Sequence, residues 1–354
     1  MVWIIVALLG GFVLAMLIAV PAWSLWRLDD LSALDQAAYA VREGPPSAEN
    51  KTVLALIGGI GEVTRGLYGK ARLTALRKHM DGLGDGVELR SKLKRCELPK
   101  GEWVIAPGAD TRRRVLYIHG GAWTAGSPRS HRAITDRLAQ VANAAVFAVD
   151  YRLMPEHRFM DGVRDCRDAY RWLLENGPSG ACEADFMLIA GDSAGGSHTL
   201  GLLAWLRDSG LRQADGAVAF SPSTDLTLTA PSNRRNIASD AMLGPMFGRL
   251  AKLPRALVWW GVRVIFRASP ASAVVSPLRG SLADLPPTLI QASAAEMLVD
   301  NARRYASKAT AVGSSVTLHL WPGMVHAWQI FTPLLPEAEE AFADVAAFIA
   351  ELDA

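Results

Sequence analysis

From residue 87 onward the chain alternates short apolar runs with longer segments whose polar and apolar residues follow a helical spacing. The runs at 115–118, 145–149, 186–190, 217–220 and 288–291 are rich in Val, Ile, Leu, Phe and Ala. Parallel strands covered by helices on both faces have this composition. Between them lie the helix-length segments 133–143, 161–175 and 194–208, and 337–352 closes the chain. The alternation predicts an α/β fold with a mostly parallel central sheet and helices on both faces.

Two regions depart from that pattern. Residues 27–86 read as helical material with glycine-rich breaks. Residues 229–270 carry no strong strand, and no Asp or Glu lies between Ala241 and Pro270. Arg249, Lys252, Arg255, Arg263 and Arg267 surround the apolar stretch LVWWGVRVIF in that segment. An insertion of this kind between core strands predicts a helical cap whose aromatics roof a pocket, with contact to a bilayer as the sharper alternative.

The first segment is different in kind. Residues 2–26 contain no charged side chain, and 25 such residues are long enough to cross a hydrocarbon core. Trp3, Trp23 and Trp26 suit the two interfaces. A secretory signal opens with Lys or Arg, and neither precedes this stretch, so an uncleaved single-pass anchor is expected. Arg27 and Arg42 follow the span, and the positive-inside rule then leans the main domain toward the cytoplasm. The expected organisation is an anchor over 1–26, a helical segment over 27–86 and a main α/β domain over 87–354 with its cap.

Charge narrows the partners. A net charge of +2 over 354 residues, without a basic arm, gives no nucleic-acid signature. Cys96, Cys166 and Cys182 form neither a metal spacing nor an even disulfide framework, so no metal or other cofactor is expected.

GDSAGG at 191–196 directly follows the apolar run ending at Ala190 and opens a helical segment. Strand, G-x-S-x-G and helix together make a nucleophile elbow, in which Gly191 and Gly195 leave room beside Ser193. YIHGGAW at 117–123 also follows an apolar run, and its glycines let the backbone turn N–H groups toward a ligand. Acyl transfer needs such donors for the developing oxyanion, and Gly120, Gly121 and Ala194 are the expected ones. Of seven histidines, His326 lies late in the chain after a strand-like SVTLHLW, the place of the base when the order is Ser, acid, His. His119 is expected to shape the glycine loop, His131 and His157 to be structural, and His198 to be incidental. The acid is Glu296 or Asp300, both within the AAEMLVDN that follows the run at 288–291.

HGGAW, DYRLMPEHRF, GDSAGG and WPGMVHAWQIF, in that order, resemble the hormone-sensitive-lipase family of α/β-hydrolase esterases over residues 87–352. The resemblance implies an α/β-hydrolase fold and a carboxylic-ester hydrolase with a Ser–acid–His triad beneath a helical cap. The N-terminal stretch is similar to that of the arylacetamide deacetylase branch. Family placement of the acid implies Glu296, where relatives more often carry Asp, and leaves Asp300 to cap the helix that follows. Ala122 replaces the third glycine of the usual His-Gly-Gly-Gly, and Met154 and Arg158 are further departures. The expected enzyme is a membrane-anchored serine hydrolase using Ser193, Glu296 and His326 on short- to medium-chain or hydrophobic, lipid-derived esters. A deacetylase acting on amides and a non-catalytic binding protein on the same fold are the alternatives.

Overall fold

The computed structural model describes residues 30–354 together with Ala19 and Val20. The stretch expected to anchor the chain lies outside the described residues apart from those two. Among the described residues no helix is long and apolar enough to cross a membrane.

Eight strands form one sheet: β1 (Lys92–Glu97), β2 (Lys100–Ile105), β3 (Asp110–Ile118), β4 (Ala144–Val149), β5 (Phe186–Asp192), β6 (Gly216–Phe220), β7 (Thr288–Ser293) and β8 (Val316–Trp321). Their order is β1-β2-β4-β3-β5-β6-β7-β8. Strand β2 runs antiparallel to both its neighbours, and every pairing from β4 to β8 is parallel. The apolar runs of the sequence are the central strands, and β1 and β2 are additions to that reading. Strand β1, KLKRCE, is an exposed edge whose charged side chains hide any apolar periodicity.

Parallel strands need crossovers, and these are α3 (Arg132–Val141), α4 (Phe159–Glu175), α5 (Ala194–Asp208) and α9 (Val299–Ala311), with α10 (Pro336–Leu352) closing the chain. Strand alternation divides the core into two layers. Leu116, Ile118 and Ile189 pack with Tyr170, Leu203 and Tyr305 on one face of the sheet. Val115, Tyr117 and Leu188 pack with Leu138, Phe342 and Val345 on the other.

The N-terminal helices α1 (Asn50–Val63) and α2 (Gly69–Leu83) brace the site end of this frame. Val53 and Ile57 of α1 pack with Trp321 and Trp328, on either side of His326 in sequence. Arg77 of α2 donates from Nε to the Thr124 carbonyl at 2.7 Å and from a terminal nitrogen to the Met154 carbonyl at 3.0 Å. Residues 229–270 contain α6 (Ser232–Arg235), α7 (Leu243–Lys252) and α8 (Arg255–Phe266), and no strand.

Candidate active site

Strand β5 ends and α5 begins around Ser193, whose φ of +52° lies in the left-handed region. A non-glycine residue holds that conformation only where its surroundings fix it. The Ser193 N–H donates to the Phe220 carbonyl at 2.8 Å, and the Ser193 carbonyl accepts the N–H of Ser197 and of Ser223. The flanking glycines are steric necessities. A Cβ on Gly191 would stand 2.6 Å from the Ile118 carbonyl oxygen, and one on Gly195 would fall inside that oxygen's van der Waals shell. Ser193 itself is half-buried.

His326 follows β8, and its Nδ1 lies 2.7 Å from Oε2 of Glu296 with both side chains buried. The second Glu296 oxygen accepts the Ser293 N–H at 3.3 Å. Burial works against a charged imidazole, but the hydrogen bond to Glu296 and its charge outweigh it and raise the His326 pKa above 6.5. Burial also raises Glu296 above the usual carboxylate value, against the pull of His326. The His326 Nε2 is buried and has no hydrogen-bond partner among the described residues, so a carboxylate orients the ring while its other nitrogen stays available.

One short turn ties serine and histidine together. Phe220 supplies the carbonyl that holds the Ser193 N–H, and the next residue, Ser221, accepts the Ala327 N–H on its Oγ at 3.2 Å. The Ser221 hydroxyl also favours the charged form of Glu296, a smaller lowering influence than that of His326. No motif in the sequence marks Ser221; only the convergence of three loops does.

Asp300 is brought into different company. The expectation that it caps its own helix is corrected, because α9 begins at Val299 and its N-cap is Leu298, which has no side-chain cap bond. Lying one residue inside the helix, Asp300 instead accepts the Ser232 N–H at 2.8 Å and faces Arg235 and Arg303. It therefore serves the start of α6, away from His326.

The loop after β3 requires a second correction. The Gly120 N–H donates to Oδ1 of Asp192 at 2.9 Å, so it is committed and does not fit the oxyanion role expected of it. Among the described residues the amides of Gly121 and Ala122, next along the loop, have no hydrogen-bond acceptor, and neither does that of Ala194. Gly121 has a φ of +113°, and Ala122 and Trp123 follow at +53° and +59°. This left-handed run breaks the extended path of β3 where the unbonded amides lie.

Asp192, read only as part of the elbow, is the buried anchor of that loop. It also accepts the Tyr117 hydroxyl at 2.6 Å and pairs with His131 at 3.4 Å. Burial alone would raise its pKa, but His131, Tyr117 and Gly120 together lower it to about 2. His131 is raised, since Asp192 outweighs burial. His119 stacks on Tyr151 at 4.3 Å and donates from Nδ1 to the Gly120 carbonyl at 2.8 Å. Burial and the neighbouring His131 hold it at about 4, so it is neutral at pH 7 and shapes the loop. His157 is exposed, contrary to a structural role, and His198 is no bystander: it is buried and stacked on Phe159 at 5.4 Å.

An apolar cluster adjoins these groups. Trp123, Met154, Phe159 and Val275 pack with Ala194, and Phe266 of α8 closes over Trp123 at 5.1 Å. The acid loop is held by residues that follow β6. Asn236 donates to the Ala294 and Glu296 carbonyls, and Asp240 accepts the N–H of Met297 at 2.7 Å. Among the described residues no group of three or more His, Cys, Asp or Glu side chains is placed to hold a metal ion.

Comparison with known proteins agrees with this geometry. A family model described as the alpha/beta hydrolase fold matches residues 115–330. An acetyl-hydrolase of Streptomyces hygroscopicus is 37% identical over 249 residues, 70% of this chain and 78% of the relative. The carboxylesterase/phospholipase LipF of Mycobacterium tuberculosis is 36% identical over 263 residues, 71% of this chain and 66% of its own. The crystal structure of an esterase from the bacterial hormone-sensitive lipase family superposes with a TM-score of 0.74 at 30% identity, covering 87% of this chain and 99% of that one.

Proposed function

We propose that this chain, which belongs to the hormone-sensitive-lipase family of α/β-hydrolase esterases, is a membrane-anchored serine hydrolase acting on hydrophobic or lipid-derived esters of short to medium acyl length. Ser193 is the nucleophile, His326 the base and Glu296 the residue that orients it. The observation that carries the assignment is the buried His326–Glu296 hydrogen bond at 2.7 Å, with His326 Nε2 unbonded and Ser193 held by the adjoining turn.

In the first half-reaction Ser193 Oγ attacks the ester carbonyl and its proton passes to His326 Nε2. Glu296 stabilises the imidazolium that forms. The amides of Gly121, Ala122 and Ala194 receive the carbonyl oxygen as it gains charge. Collapse of the tetrahedral intermediate expels the alcohol, which takes the proton from His326. Water then attacks the acyl-enzyme through the same base and releases the acid and Ser193.

The substrate range rests on three supports. The cluster of Trp123, Phe159 and Phe266 beside Ala194 favours apolar groups. The Streptomyces relative is named an acetyl-hydrolase, which favours a short acyl group, and the name of LipF includes phospholipase, which favours a lipid origin. Anchoring rests on the uncharged residues 2–26, and a cytoplasmic main domain on Arg27 and Arg42.

Fluorophosphonate labelling of the full chain, with p-nitrophenyl esters of rising chain length, tests the chemistry. Wild type labels and turns over, and Ser193→Ala does neither; a folded wild type that does not label refutes the assignment. Resistance of the full chain to carbonate extraction tests the anchor, and a C-terminal reporter active only in the periplasm would reverse the orientation.

A further inference from the structure

Helix α8 is apolar nearly all the way round, yet only one of its faces is covered. Val258, Val262 and Phe266 recur at the spacing of one face, and Phe266 packs on Trp123 beside the site. Leu257 and Val264, at i and i+7, share the opposite face and Ile265 lies on its flank; they are 58%, 68% and 62% exposed. Met246, Leu250 and Leu253 give neighbouring α7 and its C-cap a second exposed stripe at i, i+4 and i+7. A helix with apolar residues on every side is ordinarily buried, and contiguous patches of this kind mark a docking surface.

The charges around the patch say what covers it. Arg249, Lys252, Arg255 and Arg267 stand on or beside these two helices, all exposed and none paired with a carboxylate among the described residues. No acid lies between Ala241 and Pro270 to balance them. Arg249 and Lys252 also share a cleft of about 560 Å³ with Arg72 at the start of α2. Long basic side chains at the rim of an apolar stripe reach phosphates while their stems lie along acyl chains.

We propose that the outer face of α7 and α8 rests on a bilayer rich in anionic lipid, as a contact separate from the N-terminal anchor. The inner face of α8 roofs the Ser193 site, so this contact sets the site against the membrane and draws its ester from there. That last consequence rests on the esterase reading; the contact itself does not.

The test uses the full chain with Cys96→Ser and Cys182→Ser, carrying Val264→Cys labelled with an environment-sensitive fluorophore. A second protein keeps Cys182, exposed before β5 at the opposite end of the sheet, as the labelled control. Both are placed in phosphatidylcholine vesicles with or without phosphatidylglycerol, with a nitroxide-bearing lipid as quencher. The label at 264 is expected to be quenched several-fold more in anionic than in neutral vesicles, with no such gain at 182. Salt at 1 M, where the screening length is about 3 Å, abolishes the gain, and so does Lys252→Glu with Arg255→Glu.

Equal quenching at 264 and 182 overturns the proposal. So does a label at 264 that is apolar yet unquenched in every vesicle: a second copy covers the face if the signal follows protein density, and the uncharged residues 2–26 do if it does not. Hydrolysis of a soluble acetate ester, read in the same samples, stays at the wild-type level in Val264→Cys. Its loss in wild type would refute the esterase reading and leave the membrane contact standing.

Discussion

Ser221 and Ala327 are joined by a single hydrogen bond of 3.2 Å, and through it the turn that holds Ser193 also holds His326. The Ser221 side chain is buried and its hydroxyl also favours the charged form of Glu296. Replacement by Ala removes a tie among three loops without touching a reacting atom. Ser221→Ala is expected to keep fluorophosphonate labelling but slow it about 10-fold, from loss of roughly 1.4 kcal/mol of positioning. Thermal unfolding should shift by the loss of a buried hydrogen bond, about 1 kcal/mol.

The two carboxylates of AAEMLVDN separate in their consequences. Glu296→Gln is expected to lower kcat by roughly 10³–10⁴, because an amide no longer stabilises the imidazolium. Asp300→Ala is expected to keep kcat within about threefold and to cost about 1–3 kcal/mol of stability, since the Ser232 N–H loses its acceptor. Rates and denaturant melts on the two variants check this. An active Glu296→Gln beside an inactive, folded Asp300→Ala would reverse the assignment.

Activity falls as pH falls, because His326 accepts the serine proton only when neutral. Its pKa is raised, so the acidic limb of kcat/KM for wild type is expected to have its midpoint above 6.5. In Glu296→Gln the charge that raises it is gone, and the residual activity should titrate at lower pH. The stability linkage runs the opposite way: the contribution of His326 is full below 6.5 and is lost as pH rises through the raised native value.

Asp192 supports the fold and the oxyanion loop at once. Asp192→Ala leaves the Tyr117 hydroxyl and Gly120 N–H without an acceptor and His131 without a partner, an expected loss of about 3–5 kcal/mol. Asp192→Asn keeps an oxygen for both donors and should recover most of that loss. Acid melts separate the two causes. With a native pKa of about 2, wild-type Asp192 contributes stability above its ordinary 3.8 and loses it as pH falls toward 2, a phase absent from Asp192→Asn.

The central strands and the serine elbow are legible in the sequence because each is a local pattern. An apolar run from 186 followed by GDSAGG leaves little else for Ser193 to be. What stays hidden depends on contacts between distant segments. Which of three consecutive amides is tied down is decided by Asp192, some 70 residues beyond Gly120, and no spacing encodes that choice. Asp300 misleads for a smaller reason: the helix starts two residues earlier than Asp300 as its cap would require. Strand β1 escapes because an exposed edge needs no apolar face.

Asn236 and Asp240 hold the loop of Glu296 from within the segment that also carries α7 and α8. Roof and acid are thus one mechanical part. A chimaera that exchanges residues 229–270 for those of a relative would replace the substrate's enclosure and, in the same cut, sever the splint on the acid. Such grafts should lose turnover even on esters too small to touch the new roof, unless Asn236 and Asp240 travel with the host.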